Sequence, residues 1–283
     1  MAHQHSRESF NPDAELSTIC TELWKLDENR LQPGKDYVIN LQGGTKVYQR
    51  TDMAKDPLFT FVSPEVLKRP TYKTFISLLD NYESNTGKAE VVTPEEIKEN
   101  WTFIDAIMGT KVMKKAHEYL VSKGKVAPDE KHFKQQLYDL WFKLYRRTKE
   151  SRNLDSSGFE HVFVGETRGG TEVIGFHNWI QFYLQEKAGN VDYQGYILGS
   201  KTAEGAKSHL LTIQFKWNRE VKPVGSTFIG TSPEFEVAMY TMCFFCAKDT
   251  ATHIDVAGYH VLVTCHKHGL LNLGTSYPKA HHD

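Results

Sequence analysis

The chain has 283 residues, 40% hydrophobic and 12% aromatic, which is enough for one large domain or two small ones with packed cores. Its 34 basic and 35 acidic residues give a formal charge of -1, so any contact with nucleic acid must be made by a local cleft rather than by a global basic field. No run of about 18 apolar residues is present, which argues against a membrane span, and four cysteines are too few for a disulfide scaffold.

The first 17 residues, MAHQHSRESFNPDAELS, lack the basic and then apolar layout of a secretory signal. The chain as given is therefore expected to be cytoplasmic or nuclear. A secreted form cut from a longer precursor would have the same sequence.

The first half of the chain is predicted to be mostly helical. Apolar residues recur at helical spacing within residues 13–31 and again within residues 128–147, where the pattern predicts a long helix ending near Arg147. Between these segments, Thr93 and Glu96 have the spacing of a capping box, with a proline at the first helical position.

The composition changes in the polar stretch 148–158, TKESRNLDSSG, which we take as the main boundary. The predicted fold class is α+β, with a helical region 1–150 and a β-rich catalytic region 151–283 of antiparallel sheets and inserted helices, together forming one compact unit. The predicted elements that follow the boundary are a hairpin of strands 159–165 and 172–177, a helix 178–187, and strands 193–199 and 209–217.

The remaining residues predict a loop, a helix and two strands. Residues 221–230 contain proline and glycine and predict the loop, and Thr231 and Glu234 have capping-box spacing at the start of the helix. The two closing strands are predicted at residues 259–265 and 270–277.

A group of cysteines and histidines near the end of the chain raises the question of a zinc site. Cys243 and Cys246 form a Cys-x-x-Cys pair, and Cys265, His266 and His268 follow, all of them residue types that bind zinc. The pair lies near the end of a predicted amphipathic helix rather than in a turn, which favours buried core cysteines. A zinc-stabilised interaction domain remains an alternative.

Two histidines, His161 and His177, lie in short apolar runs on either side of the predicted Gly-Gly turn. Imidazole titrates near neutral pH, so a converging pair could supply a general base and a general acid. His177 opens the helix 178–187, whose dipole disfavours the imidazolium and lowers the pKa. The alternative is that one or both are hydrogen-bonded histidines of a packed interior.

Other polar residues complete a possible catalytic group. Lys222 adjoins the loop, where a solvated surface charge is the alternative, and Ser226 follows four residues later. Thr275 and Tyr277 lie at the predicted tip of the last strand. Two imidazoles and an ammonium group suit cleavage of RNA through its own 2′-hydroxyl, which requires no metal, while a hydroxyl and an aromatic ring could hold a pyrimidine.

Three segments closely resemble the EndoU family, the poly(U)-preferring endoribonucleases of animals, which are related to the coronavirus uridylate-specific endoribonuclease. They are 158–166 (GFEHVFVGE), 175–197 (GFHNWIQFYLQEKAGNVDYQGYI) and 224–240 (VGSTFIGTSPEFEVAMY). The resemblance extends over nearly the whole chain and implies a mixed α and β fold and products with 2′,3′-cyclic phosphate and 5′-hydroxyl ends. The stretch 265–274 is shorter than the usual loop before the final strand.

Carried over by motif, the resemblance implies the following site residues. The catalytic ones are His161, His177 and Lys222, with His177 as base and His161 as acid. The substrate-binding ones are Ser226, Thr275 and Tyr277, together with the acidic Glu160 and Glu166.

The resemblance also implies dependence on a divalent cation, manganese or calcium, and no organic cofactor. Such hard cations prefer oxygen ligands, and the densest carboxylate stretch offers Asp80, Glu83 and Glu90. The stretch lacks the spacing of a known calcium loop, and a solvated acidic turn is the alternative.

The expected partner is single-stranded, uridine-containing RNA, with no membrane and with the protein acting as a monomer. A different class of function, an RNA-binding module that does not cleave, uses the same histidines to stack on or hydrogen-bond bases. Incubation with a uridine-containing oligonucleotide distinguishes the two.

Overall fold

The structure, a computed structural model, describes residues 10–200 and 204–280. Residues 1–9 lie outside these ranges. They are part of the N-terminal segment for which the sequence predicts no secretory signal. No helix within the described ranges is long and apolar enough to cross a bilayer.

The helices and strands alternate along the described chain. The helices are Ala14–Leu26 (α1), Pro64–Leu67 (α2), Pro70–Ile76 (α3), Pro94–Met108 (α4), Lys111–Ser122 (α5), Glu130–Trp141 (α6), Trp179–Lys187 (α7) and Pro233–Cys246 (α8). The strands are Tyr37–Ile39 (β1), Gly44–Thr45 (β2), Phe59–Val62 (β3), Glu166–Arg168 (β4), Glu172–Ile174 (β5), Val191–Ile197 (β6), Leu210–Trp217 (β7), Glu220–Phe228 (β8), Ala251–Val256 (β9), Tyr259–His268 (β10) and Asn272–Ala280 (β11). Short π-helical and 3-10 turns occupy Glu160–Val164 and Gly205–Lys207.

The strands form small, mostly antiparallel sheets. One sheet has the order β2-β6-β7-β8, in which only β2 runs parallel to its neighbour, and another has the antiparallel order β11-β10-β9. The pairs β1-β3 and β4-β5 are antiparallel ribbons. Helices and antiparallel sheets in one chain confirm the α+β class.

The signals for the first-half helices are confirmed in α1 and α4. Asp13 caps α1 by accepting hydrogen bonds from the backbone of its first turn, and the apolar face of that helix is buried. At α4, the Thr93 hydroxyl accepts from the Glu96 amide while the Glu96 carboxylate accepts from the Thr93 amide. Both bonds satisfy amides that an uncapped helix would leave unpaired.

Helix α6 ends at Trp141, six residues before the predicted end at Arg147. Beyond it the backbone finds other partners: Tyr145 pairs with Ser156, and the Asp155 carboxylate accepts from the amides of Arg147 and Thr148. These bonds compete with helix continuation, and the helical spacing of the apolar residues does not report them.

The first half is less helical than predicted, because it contains β1, β2 and β3. In β2, Gly44 and Thr45 pair with Tyr196 and Ile197 of β6, so a sheet of the second half includes a strand of the first. One cluster of buried apolar residues runs from Leu16 to Leu273. The division into regions 1–150 and 151–283 stays a prediction.

The predicted strand 159–165 is the clearest error, since Glu160–Val164 is a π-helical turn. All five of its residues are buried, and a short run without periodicity cannot distinguish a strand from a helical turn. The hairpin itself is present, but it consists of the shorter β4 and β5.

Residues 221–230 were predicted as a loop, but most of them lie in β8. The structure shows why Pro223 is tolerated there: β8 is an edge strand of its sheet, where a missing amide donor costs little. Thr275 and Tyr277 likewise lie inside β11 rather than at a strand tip. The cap of α8 is Ser232, one residue after the predicted Thr231.

Candidate active site

A single cleft of about 940 Å³ brings together six of the residues singled out in the sequence. They come from the π-helical turn, the segment after β5, and the strands β8 and β11. The six are His161, His177, Lys222, Ser226, Thr275 and Tyr277.

Backbone hydrogen bonds place His161 beside His177. The Phe176 amide donates to the His161 carbonyl at 3.0 Å, and the His177 amide donates to the Val162 carbonyl at 2.7 Å. The close approach requires glycine at position 175, where φ is +63° and a Cβ atom would lie 1.9 Å from the His161 carbonyl oxygen. The GFH segment therefore joins the two histidines through the main chain.

The ring of His177 has a defined proton arrangement. Its Nδ1 lies 2.9 Å from the Ser226 carbonyl oxygen, which can only accept, so Nδ1 carries a hydrogen and Nε2 of the neutral ring is a free base. Burial, and then the positive charge of Lys222, hold the pKa of His177 well below its ordinary value. The sequence predicted the direction, but attributed it to the helix dipole.

His161 has an acidic partner instead. Its Nδ1 donates to Glu166 Oε2 at 2.5 Å, and that same oxygen lies 3.2 Å from Arg147 Nε. The pKa of His161 is lowered from its ordinary value, by burial first, while the charge of Glu166 and its hydrogen bond oppose this shift. The carboxylate thus stabilises the imidazolium form against burial and fixes the orientation of the ring.

Lys222 lies in β8 and is only 7% exposed. Burial lowers its pKa from 10.5 to about 8, opposed by the negative charge of Glu172. At pH 7 most of the population is therefore an ammonium ion. A largely desolvated cation in a cleft interacts more strongly with developing negative charge than one at the surface does.

The three residues expected to bind the base all line the cleft. The Tyr277 ring stacks on His177, with centroids 4.4 Å apart and planes inclined by 15°. The Ser226 hydroxyl bonds to Thr212 at 3.0 Å, and the buried Thr275 Oγ1 has no hydrogen-bond partner in the described part of the chain. The Thr275 hydroxyl therefore has an unmet hydrogen bond beside the cleft.

Glu160 and Glu166 lie behind the cleft wall, where both are fully buried and outside the cleft lining. Glu166 is the partner of His161. Burial, and then the charges of Glu166 and Glu90, raise the pKa of Glu160 well above its ordinary value, which favours the neutral form of this carboxyl. Neither side chain lines the cleft, and a part for them in substrate binding stays a prediction.

Arg147 also lines the cleft, although the sequence analysis predicted it only as the end of a helix. Besides Glu166, its guanidinium donates to the Tyr145 hydroxyl and to the Gly274 carbonyl, the latter at 2.7 Å. It thereby connects the partner of His161 to the strand that carries Thr275. A contact between residues 127 positions apart leaves no local sequence signal.

Residues 15–278 match the family model described as Endoribonuclease XendoU. The chain belongs to this family. The resemblance drawn from the double-histidine segments is therefore confirmed.

Similar proteins cover almost the whole chain. It is 53% identical over 273 residues to Poly(U)-specific endoribonuclease-B of Xenopus laevis, spanning 93% of each chain. It is 51% identical over 271 residues to Uridylate-specific endoribonuclease B of Danio rerio, spanning 94% of this chain and 96% of that one. A solved structure described as XendoU, a splicing-independent snoRNA processing endoribonuclease, superposes with a TM-score of 0.84 at 50% identity, covering 95% of this chain and 98% of the other.

The acidic stretch considered for a cation is not assembled as a metal site in this XendoU-family chain. Glu90 accepts a hydrogen bond from the Glu83 amide at 3.0 Å, and Glu83 accepts from Asn85 and pairs with Lys88. Within residues 10–200 and 204–280, no group of three or more His, Cys, Asp or Glu side chains is arranged to hold an ion. Metal binding by Asp80, Glu83 and Glu90 stays a prediction.

The cysteines considered for zinc are free thiols, and the core interpretation is confirmed for two of them. Cys243 and Cys265 are buried, and burial raises the pKa of both thiols. Cys246 is half-buried near the end of α8. His266 and His268 line the XendoU-family cleft instead.

Proposed function

We propose that this protein is an endoribonuclease that cleaves single-stranded RNA at uridylates by transesterification. The 2′-hydroxyl of the uridine attacks its own 3′-phosphate, and the products carry 2′,3′-cyclic phosphate and 5′-hydroxyl ends. The observation that carries this proposal is the pair of differently partnered imidazoles beside a buried ammonium in one cleft.

The hydrogen-bond partners and pKa shifts of the two histidines support opposite roles in proton transfer. His177 has a strongly lowered pKa and a free Nε2, which suits removal of the 2′-hydroxyl proton. The pKa of His161 is also lowered, but its carboxylate partner opposes that shift and stabilises the imidazolium, which suits donation of a proton to the departing 5′-oxygen. The bond from O2′ to phosphorus forms as the bond from phosphorus to O5′ breaks.

Lys222 is assigned to the charge that develops on the non-bridging phosphate oxygens. Its pKa of about 8 keeps it positive at neutral pH, and its burial reduces competition from water. Because these steps use only side chains of this chain, we assign manganese or calcium no part in the proton transfers.

Recognition of the uracil is assigned to Ser226, Thr275 and Tyr277. Uracil presents two carbonyl acceptors and one N–H donor, which match hydroxyl groups in a confined pocket. The positions of all three residues in the cleft lining support this assignment, and the Tyr277 ring provides an aromatic surface beside His177. The shielded Thr275 hydroxyl would have to rotate toward the base to use its unmade hydrogen bond.

The test uses a labelled oligonucleotide with one uridine and its matched copy carrying 2′-deoxyuridine there. We expect cleavage after the uridine, with cyclic phosphate and 5′-hydroxyl ends, while the deoxy copy binds without being cut. Cleavage of the deoxy copy, or 5′-phosphate ends, would indicate attack by water. Binding of both without cleavage would make the protein an RNA-binding module.

A further inference from the structure

The lip of the cleft carries an aromatic residue that the catalytic assignment does not use. Tyr48 lies in the loop that follows β2, is 71% exposed, and lines the cleft together with Arg50 of the same loop. A tyrosine this exposed contributes little to packing in the free protein. We therefore interpret its position at the cleft as a contact for a bound ligand.

The loop backbone is held in an uncommon conformation at both of these residues. Tyr48 has φ +61° and Arg50 has φ +56°, in the left-handed region that costs non-glycine residues of order 1–3 kcal/mol each. Two hydrogen bonds anchor the loop to the sheet: the Met53 amide donates to the Gln194 carbonyl at 3.0 Å, and Gln214 Nε2 donates to the Thr51 carbonyl at 3.0 Å. The loop is therefore a supported element that presents Tyr48 and Arg50 to the cleft.

Basic side chains from separate elements line the same cleft. Arg50, Arg168 and Arg219 come from the loop after β2, the end of β4 and the turn between β7 and β8, and Arg168 is paired with Glu172. Because the chain as a whole carries a charge of -1, this concentration is local. Basic side chains with an exposed aromatic ring are the combination that binds single-stranded nucleic acid by its backbone and bases.

We propose that Tyr48 stacks on the base of a nucleotide that flanks the cleaved uridylate, and that Arg50 binds an adjoining phosphate. The proposal rests on the function proposed above and extends it to a second subsite, on a different element from the one that holds the uracil. Stacking tolerates any base, so this subsite adds affinity for longer RNA without adding sequence preference.

The experiment compares two substrates in which the same uridine 2′-hydroxyl attacks the 3′-phosphate, with 4-nitrophenolate as the leaving group of one and a nucleotide 5′-oxygen as the leaving group of the other. One is uridine 3′-(4-nitrophenyl phosphate), which has no flanking nucleotide, and the other is a decamer with a single uridine. For Tyr48→Ala, we expect the ratio of kcat/KM on the decamer to kcat/KM on the mononucleotide to fall by about 5- to 150-fold, the range for one lost base stack. Tyr48→Trp is expected to retain the ratio.

The matched control is Val47→Ala, an exposed neighbour outside the cleft lining, which should keep the wild-type ratio. For wild type, an abasic site at the contacted position of the decamer should lower kcat/KM as much as Tyr48→Ala does. When Tyr48→Ala acts on that abasic decamer, the two losses should not add. An unchanged kcat/KM ratio in Tyr48→Ala, or additive losses for an abasic site at every position, would overturn the subsite. Absence of cleavage of both substrates by wild type would instead overturn the proposed function.

The contact of Arg50 with a phosphate is tested by measuring how RNA affinity depends on salt concentration. Arg50→Ala should reduce the slope of log affinity against log salt concentration by about 0.7 for the uncleavable 2′-deoxyuridine decamer, the value for one phosphate of a single strand. Arg50→Lys should keep the wild-type slope. An equal slope in wild type and Arg50→Ala would remove Arg50 from the subsite.

Discussion

The two histidines of the cleft have different surroundings. His161, in the π-helical turn, donates to the buried Glu166, which Arg147 also contacts. His177, after β5, donates to the backbone carbonyl of Ser226 and stacks on the Tyr277 ring. Burial lowers the pKa of both histidines, but a carboxylate opposes the shift only at His161.

The difference shows how one fold obtains an acid and a base from two imidazoles. A carboxylate partner stabilises the imidazolium, whereas a carbonyl partner fixes the tautomer without adding a charge. Outside the cleft, His209 repeats the second arrangement, because it is buried and its Nδ1 lies 2.7 Å from the Ile229 carbonyl. A buried, carbonyl-bound histidine is therefore not sufficient for a site, and the neighbouring groups decide its role.

The largest expected effect comes from removing either imidazole of the cleft. His161→Ala and His177→Ala should each lower kcat by about 10²–10⁴-fold, the usual contribution of one acid-base group. Both variants should keep the wild-type far-ultraviolet circular dichroism. The measurement is single-turnover cleavage of the one-uridine oligonucleotide, and a wild-type rate in either variant would make the assignment of that residue wrong.

The matched control is His209→Ala, which removes a similarly buried and carbonyl-bound ring outside the cleft. We expect it to lower the melting temperature while leaving kcat at 25 °C close to wild type. If it lowered kcat as much as His177→Ala, burial rather than catalysis would explain the loss.

Lys222→Ala is expected to have the next largest effect. Loss of a preorganised charge should raise the barrier by about 2.7 kcal/mol, or roughly 100-fold in kcat, while KM changes little. The control is Lys216→Ala, a lysine of the adjacent strand β7 that does not line the cleft. An unchanged kcat with a raised KM would mean that Lys222 positions phosphate rather than stabilising the transition state.

Glu166→Gln directly tests the difference between the surroundings of the two histidines. Without the carboxylate charge the pKa of His161 should fall, so less of it is protonated as the pH rises, and the alkaline limb of kcat/KM should move to lower pH. A fall of one unit in the pKa of His161 would lower kcat/KM about tenfold at each pH on the alkaline limb. The acidic limb, assigned to His177, should stay in place.

The measurement is a kcat/KM profile between pH 5 and pH 8.5 for wild type, Glu166→Gln and the exposed surface control Glu65→Gln. A shift of the acidic limb with the alkaline limb unchanged would reverse the acid and base assignments. Identical profiles for all three proteins would show that Glu166 acts on ring orientation alone.

The sequence predicted the parts of this site that carry local signals. His161, His177 and Lys222 were placed together through motif resemblance, and the α4 start followed from the Thr93 capping box. The π-helical turn around His161 was missed because its residues are buried on every side and show no periodicity. Arg147 was missed because its role depends on Glu166 and on a strand far along the chain.

The smallest expected effect concerns the acidic stretch with Asp80, Glu83 and Glu90. The Glu90 carboxyl has its pKa raised to about 7, by burial first, with repulsion from Glu83 and Glu166 adding to it. If calcium or manganese binds there, it lies outside the His-His-Lys group. An ion at about 100 times its dissociation constant should then stabilise wild type and His177→Ala equally, by roughly 2.7 kcal/mol.

Replacing both Glu83 and Glu90 with Gln should weaken this stabilisation and the metal-stimulated part of cleavage, while the ion-independent rate remains. We expect a partial loss, because in the structure these carboxylates already bond to the amides of Glu83 and Asn85 and must exchange those bonds for the ion. Calorimetric titration of calcium into wild type and the double variant decides the matter, with Glu65→Gln as the control. Equal affinities would exclude this stretch as the metal site and leave the contrast between the two histidines independent of any ion.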